Sequence, residues 1–331
     1  MDNSLTLVSF VMPHHGRTSM LIETIRSIDA QMGDTFLTEV IVVTRDIDFK
    51  RHEVLTELRD QGVEMPIQII SVAQDKSISF SRNRGAAIAK GEYLAFVDSD
   101  VRLSPNWIAC MLSTLVPGVV LSSAVQIPDI ARKMNDVIRS AMSVANVGDN
   151  IESLPGANLF MRRDVFEESE KFLEHLQTCE DSKFTHSLRS KGKLVLTDRS
   201  GFVHLGEDLT FSALFKKEIW RGKSNIDLLF GSEISVGELP SILLPLLVSA
   251  CLLVVALAAA LGYQINALCF LLLALLPGVL YALRLHIRSG IDLGMHKLVI
   301  FYSIYFVARG IGMTQRVFER KRYTQARVPT P

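Results

Sequence analysis

The sequence predicts an α/β fold with a mostly parallel central sheet, followed by a helical membrane segment. Up to about residue 230, short apolar runs rich in β-branched residues alternate with helical patterns. Such alternation is typical of βαβ units, whose strands run parallel. From Leu239 onward the alternation stops and long apolar stretches take its place. The chain therefore divides into an α/β part and a membrane part.

Four apolar runs predict strands in the α/β part: Thr6–Met12, Glu39–Val43, Ile67–Val72 and Tyr93–Val97. Helical patterns separate them, and the clearest are Ser19–Gln31 and Arg51–Gln61. Parallel sheets bind ligands beyond the carboxyl ends of their strands. The polar residues that follow each strand are therefore the first candidates for a functional site.

The membrane part begins with Leu239–Leu261, an unbroken apolar stretch of about the 20 residues that a bilayer requires. A second stretch at 265–283 is also long enough to cross, and Pro277 within it predicts a kink. A third segment, at 296–312, is shorter in its apolar part and basic at both ends. We predict an interfacial or re-entrant helix there, with a third span as the alternative.

Basic residues predict the orientation of this membrane part. Arg284 and Arg288 follow the second segment and Lys297 lies at the start of the third, whereas the short loop between the first two carries no charge. Because cytosolic loops are enriched in Lys and Arg, we expect a multi-pass protein of the cytoplasmic membrane, with the α/β part and the basic loop in the cytosol. The chain opens almost directly on a predicted strand, so we expect no secretion leader.

Composition excludes several classes of protein. The 35 acidic and 35 basic residues balance, so no overall field favours nucleic acid as a partner. The four cysteines are scattered, which predicts neither a disulfide framework nor a zinc motif. The sequence leaves the oligomeric state open, and a homo-oligomer is one of the alternatives.

The most informative stretch is SFSRNRGAAIAKGEYLAFVDSD at residues 79–100, where an apolar strand delivers Asp98 and Asp100. Residues two apart in an extended segment point the same way. The two carboxylates can therefore converge on a divalent cation, or one can bind the cation while the other contacts a sugar. Such a cation would neutralise the charge that develops on a departing diphosphate.

Across roughly residues 5–230 the chain resembles the family-two inverting glycosyltransferases with the Rossmann-like GT-A fold. The motifs that carry this resemblance occur in the family's order: VSFVMPHHGR, VIVVTRD, SRNRGAAIAKGEYLAFVDSD, GANLFMRRDVF, CEDSKFTHSLRSKG and GFVHLGED. The chain departs from the family's usual acidic pair, because Thr44 and Arg45 stand before Asp46. It also has Lys183 where many members of the family carry another acid.

The resemblance implies roles for particular residues. Those expected to bind the nucleotide-sugar are Pro13, Arg17, Asp46, Arg82, Asn83, Asp98 and Arg221. Those expected on the acceptor side are Gly156, Ala157, Asn158 and Trp220. Asp181 matches the family's catalytic base, with Glu180 beside it, and Asp100 with His204 matches the shell of a divalent cation, Mg²⁺ or Mn²⁺.

The sequence thus predicts a glycosyltransferase domain at 1–230, with an amphipathic interface helix at about 208–225, a membrane segment at 239–313 and a basic cytosolic tail at 314–331. The expected reaction is transfer of a sugar, with inversion, from a nucleoside diphosphate to a membrane-associated or lipid-linked glycan at the cytosolic face. Uridine is favoured as the nucleoside. The alternatives are a processive polysaccharide synthase subunit and a non-catalytic nucleotide-sugar-binding membrane scaffold.

Overall fold

The protein is described by a computed structural model. It describes residues 5–130, 133–176, 179–206, 210–231 and 239–325. The chain divides into two compact units, Met1–Glu207 and Asp208–Pro331. The first unit is α/β and the second is helical.

The first unit is built on an eight-stranded sheet of order β3-β2-β1-β4-β7-β6-β8-β5. Its strands are β1 Thr6–His14, β2 Phe36–Thr44, β3 Ile67–Ser71, β4 Tyr93–Val97, β5 Val101–Leu103, β6 Val119–Gln126, β7 Asn158–Arg162 and β8 Lys193–His204. The strands β1 to β4 run parallel to one another. β7 then pairs antiparallel with β4, so the sheet is mixed. The α/β prediction is confirmed.

Seven helices accompany the described part of this sheet: α1 Thr18–Asp29, α2 Arg51–Asp60, α3 Ile78–Ala86, α4 Trp107–Thr114, α5 Met134–Val144, α6 Arg163–Glu167 and α7 Glu180–Ser187. β1 and β2 are buried on both faces, which explains their continuous apolar sequences. The four predicted strands and both predicted helices are present, with ends displaced by at most a few residues.

Two glycines let α3 approach the sheet closely. A Cβ atom on Gly85 would overlap the side chain of Val11 on β1. A Cβ atom on Gly91 would lie 2.7 Å from the Leu7 carbonyl oxygen and 2.8 Å from the Ser9 nitrogen. Gly91 also donates its N–H to Ser9 Oγ. The helix that carries the SRNRG motif is thereby fixed against the strand that begins the fold.

The second unit contains α8 Phe211–Gly231, α9 Leu239–Ala260, α10 Gln264–Ser289 and α11 Met295–Gln325. By length and composition, the candidate membrane spans are α9, α10 and Met295–Glu319 of α11, with mean hydropathies of 2.8, 2.2 and 1.2. α10 continues through Pro277. The protein therefore has helices suited to membrane association. Whether 296–312 crosses or lies at the interface stays a prediction.

Close backbone contact joins α8 to α11 within this unit. Cβ atoms on Gly222 of α8 and Gly312 of α11 would overlap the backbone of the other helix, at Arg309 and Ile219. Small residues that admit such an approach are typical of membrane helix packing. α8 covers the predicted interface helix from 211 onward, while 208 and 209 lie outside the described residues.

An ion-paired carboxylate lies in the same contact between α8 and α11. The side chain of Glu218 on α8 is fully buried, and its two oxygens accept hydrogen bonds from Arg221 at 2.6 Å and Arg309 at 2.8 Å. The predicted tail at 314–331 begins as part of α11, and residues 326–331 lie outside the described part of the chain. The predicted domain bounds stay a prediction.

Replacing Gly91 by alanine is expected to destabilise the first unit. The added methyl group meets backbone atoms of β1 that cannot move independently of the sheet, so we expect a loss of about 1–3 kcal/mol in the free energy of unfolding. Denaturant unfolding of the detergent-solubilised protein measures it. Gly148→Ala is the matched control, because a Cβ there meets only Ile151 at 3.7 Å. Equal stability of both variants would contradict this account of Gly91.

Candidate active site

The candidate site lies where several connections meet at one edge of the sheet in the first unit. Asp98 and Asp100 follow β4, and Asp46 follows β2. Glu180 and Asp181 open α7, on the other side of a buried arginine, Arg82. The structure therefore brings together side chains that are widely separated in the sequence.

The guanidinium group of Arg82 is the centre of this arrangement. Its side chain is only 2% exposed, and it pairs with Asp98 Oδ1 and with Glu180 Oε1, each at 2.9 Å. It also donates to the carbonyl oxygen of Gly156 at 3.3 Å and lies over the ring of Phe172. Arg82 is thus almost entirely shielded from solvent and joins three of the motifs, and its predicted contact with the nucleotide-sugar stays a prediction.

Burial changes the protonation of the groups around Arg82. Burial raises the pKa of the Asp98 carboxyl group, and the nearby Asp100 charge adds to that rise, although Arg82 opposes it. Burial likewise raises the pKa of Glu180, with a further contribution from Asp181. Both carboxylates thus depend on the guanidinium for their charged form.

Asp181 is oriented by the backbone of the loop before β7. Its Oδ2 accepts a hydrogen bond from the Gly156 N–H at 2.8 Å. A Cβ atom on Gly156 would lie 2.7 Å from Arg82 Nη2 and 3.1 Å from Asp181 Cβ, so a side chain has no room there. The glycine thus fixes the distance between the predicted base and the predicted acceptor loop.

Asp100 faces a different set of partners. Its Oδ2 lies 3.4 Å from Arg17 Nη1, and its Oδ1 lies 3.9 Å from His204 Nε2. The Leu205 N–H donates to the Asp100 carbonyl oxygen at 2.7 Å, which joins the connection after β8 to the connection after β4. This part of the site carries one carboxylate, one imidazole and one guanidinium.

The predicted cation can be tested against these residues. Among the residues that the structure describes, no group of three or more His, Cys, Asp or Glu side chains could hold a metal ion. Two ligands each about 2.1 Å from one cation lie roughly 3.0–4.2 Å apart, and the 3.9 Å between Asp100 and His204 falls in that interval. These two residues therefore fit a cation whose other ligands come from a bound diphosphate and water.

A histidine pair at the end of β1 holds Asp46, and our sequence analysis assigned it no role. His15 Nδ1 lies 2.6 Å from Asp46 Oδ1, and the Gly16 N–H donates to Asp46 Oδ2 at 2.7 Å. The buried His14 lies 3.0 Å from Thr44 Oγ1 and 3.5 Å from Asp46 Oδ2. The adjacent histidines directly after a buried strand were the available signal.

These contacts set the charges of the cluster. Burial lowers the pKa of His14, which favours its neutral form. Burial would raise the pKa of Asp46, but the Gly16 N–H and the two imidazoles lower it overall. Asp46 also borders a cleft of about 560 Å³ that Thr18 and Phe49 help to line. A charged acceptor thus stands beside a space on the scale of a small ligand.

Three further residues with predicted roles are Pro13, Asn83 and Asn158. Pro13 lies in β1 beyond the last β1–β4 pair, so its missing N–H does not interrupt that ladder. Asn83 bonds the backbone of Phe172 and the side chain of Glu174. Asn158 is fully buried, where its amide bonds Trp107 and the backbone of Ala124.

The remaining predicted residues contribute backbone or belong to the second unit. Ala157 contributes its carbonyl oxygen, which accepts a hydrogen bond from the Asp98 N–H at 3.1 Å. Trp220 is 54% exposed on α8, and Arg221 on the same helix pairs with Glu218. The roles predicted for these two side chains stay predictions.

The mixed sheet, the acids that follow β4 and the acids that open α7 define the class of GT-A glycosyltransferases. Residues 9–169 match the family model described as glycosyl transferase family 2. The protein is therefore a glycosyltransferase with a family 2 domain.

Individual relatives agree with this class. The chain is 25% identical over 232 residues to a glucosyl-dolichyl phosphate glucuronosyltransferase of Haloferax volcanii, a match that covers 63% of this chain and 72% of the relative. It is 24% identical over 259 residues to glycosyltransferase AglE of the same organism, covering 75% and 82%. The mannosyltransferase PcManGT of Pyrobaculum calidifontis, solved with GDP-Man and Mn²⁺, superposes with a TM-score of 0.62 at 14% identity over 96% of this chain and 88% of that one. This likeness confirms the fold.

Replacing Arg82 by methionine is expected to lower the free energy of unfolding by about 3–5 kcal/mol, because the buried Glu180 and the partly buried Asp98 lose their shared cation. Denaturant unfolding measures the change. Arg84→Met on the same helix is the matched control, since Arg84 is exposed. The double variant Arg82→Met with Glu180→Gln should recover part of the loss. A loss for Arg82→Met no larger than that of the control would rule out this role.

Proposed function

We propose that this glycosyltransferase moves one sugar, with inversion, from a nucleoside-diphosphate sugar to a lipid-linked or membrane-associated glycan at the cytosolic face. One observation carries the proposal. The acids after β4 and the acids that open α7 lie on either side of Arg82, so a diphosphate partner and a proton acceptor stand at the same edge of the sheet. Inverting transfer needs groups of these two kinds within reach of one sugar.

In this mechanism Asp181 acts as the general base. An acceptor hydroxyl oxygen attacks the anomeric carbon, its proton passes to the Asp181 carboxylate, and the bond from that carbon to the diphosphate oxygen breaks. The Gly156 N–H holds one Asp181 oxygen, which leaves the group oriented for this transfer. A single displacement inverts the anomeric centre, so no carboxylate nucleophile is required.

Binding of the donor falls to residues on the connections after β1, β2 and β4 and to His204 at the end of β8. Asp46 would meet the nucleoside, and Arg17 would meet the diphosphate. Asp100 and His204 would hold a divalent cation, which neutralises the charge of the leaving diphosphate when it is bound. Mn²⁺ in the PcManGT structure supports a cation of this type.

The nucleoside of the donor is proposed to be uridine, as the sequence analysis favoured. PcManGT was solved with GDP-Man, so guanosine is the direct competitor in any donor screen. Uracil and guanine both carry a ring N–H group that can donate a hydrogen bond to a carboxylate such as Asp46.

The acceptor is proposed to be lipid-linked because the helices of the second unit suit a bilayer. A relative from Haloferax volcanii is a glucosyl-dolichyl phosphate glucuronosyltransferase, which supports an acceptor carried on a polyprenyl chain. The exposed Arg284, Arg288 and Lys297 around the α10–α11 connection support the cytosolic orientation.

Replacing Asp181 by asparagine is expected to abolish transfer while nucleotide binding stays close to that of the wild type. We expect turnover to fall by about 10²–10⁴-fold, the usual contribution of a general base. Release of nucleoside diphosphate from a panel of UDP- and GDP-sugars, with and without membrane lipid extract, measures turnover, and calorimetry measures binding. The exposed Asp198 provides the control Asp198→Asn. Turnover of Asp181→Asn equal to that of the control would remove Asp181 as the base, and a wild type that releases no diphosphate would favour a scaffold.

Replacing Asp100 by alanine is expected to weaken binding of the nucleoside diphosphate in the presence of Mn²⁺. The variant removes the carboxylate that fits the cation, so we expect a loss of about tenfold or more in affinity. Chelation with EDTA should weaken binding to the wild type by a similar factor and should change binding to the variant little. Wild-type affinity that does not respond to EDTA would eliminate the proposed metal site.

A further inference from the structure

We propose that Arg17 sets the order of binding at the site: it opposes a divalent cation that arrives alone and favours one that arrives with a nucleoside diphosphate. This inference rests on the proposed function, because it concerns the same cation. It adds a coupling between the two ligands. Arg17 is then a positioning residue for Asp100 as well as a contact for phosphate.

The geometry that carries the inference is the division of the Asp100 carboxylate between two neighbours. Oδ2 faces Arg17 Nη1 at 3.4 Å, and Oδ1 faces His204 Nε2 at 3.9 Å. A cation held between Asp100 and His204 would lie roughly 4–6 Å from the guanidinium group, given ordinary ligand distances. Two positive groups at that separation repel each other.

The backbone holds Arg17 in this place. Arg17 itself has φ +52°, in the left-handed region that few non-glycine residues adopt, and Gly16 before it has φ +64°. The Gly16 N–H is bonded to Asp46 Oδ2, which fixes the turn to the end of β2. The side chain is directed toward Asp100 by this turn, although more than half of its surface stays exposed.

The space around Arg17 and Asp100 also accommodates the guanidinium group. A Cβ atom on Gly206 would overlap both Arg17 Nη1 and Asp100 Oδ2. The chain thus carries no side chain where these two groups meet. With glycine at this position, Arg17 and Asp100 can meet beside the connection after β8 without having to shift.

Charge then decides which ligand combination is favoured. Asp98 is paired with Arg82, so Asp100 is the carboxylate that remains to face a cation. Without nucleotide, this one negative charge would face the cation and Arg17 together. A diphosphate adds at least two negative charges and gives both positive groups a partner. Cation and nucleotide are therefore expected to bind with positive coupling that depends on Arg17.

The test measures binding of Mn²⁺ alone by electron paramagnetic resonance, using the full chain in detergent. For Arg17→Gln we expect the dissociation constant of Mn²⁺ to fall by about three- to tenfold, since one exposed repelling charge is removed. In saturating Mn²⁺, the same variant should bind UDP and GDP more weakly than the wild type. The two effects have opposite signs, which a loop that has merely collapsed would not produce.

Two further variants complete the design. Arg17→Lys keeps the charge and should stay closer to the wild type in both measurements. Arg59→Gln removes an exposed arginine from α2 and should change neither. Mn²⁺ affinity of Arg17→Gln that is unchanged or weaker, in a protein whose wild type binds Mn²⁺, would overturn this inference and leave the proposed function standing. A wild type that binds no Mn²⁺, with or without UDP or GDP, would overturn both.

Discussion

The arrangement of the site depends on one buried cation, the guanidinium group of Arg82. It lies beneath the sheet edge with almost no exposure and binds Asp98, Glu180 and the Gly156 carbonyl oxygen. Removal of these groups from water is costly unless every charge is paired. Because the partners come from β4, from the loop before β7 and from α7, one side chain determines how three segments stand relative to each other. Asp100 and Asp181, the acids with proposed ligand roles, lie two residues and one residue after the two acids that Arg82 holds.

Much of the fold was predictable because β1, β2 and β4 are buried on both faces over most of their length. Such strands read as continuous β-branched runs, and β4 was found at its observed bounds, Tyr93–Val97. The antiparallel β7 is also mostly buried and apolar, with the sequence NLFMR, and nothing in that sequence indicates the direction of the strand. The mixed character of the sheet followed from pairing in space. α11 continues to Gln325 through Arg309 and Arg316, charges that interrupt the apolar pattern of the third predicted segment.

Within the site, the structure brings together segments that the sequence analysis singled out, while the roles predicted for their side chains stay predictions. Arg82 and Asn158 occur in the expected motifs, yet both are buried and hold the framework together. A motif records that a residue type is required, and burial decides whether it is required for a ligand or for the scaffold. The sequence analysis assigned His14 and His15 no role, because their contact with Asp46 joins positions about 30 residues apart. No local pattern indicates such a contact.

Gly156 limits how relatives of this protein could diverge. No side chain fits between the guanidinium group and the α7 carboxylate, so the backbone of that short connection is bound on both sides. Residues 149, 150, 152 and 153, just upstream, are exposed. Sequence changes on that exposed stretch would leave Gly156 and the proposed base Asp181 in place. A fixed Gly156 preceded by a variable segment would let evolution alter selectivity while the proposed chemical step is retained.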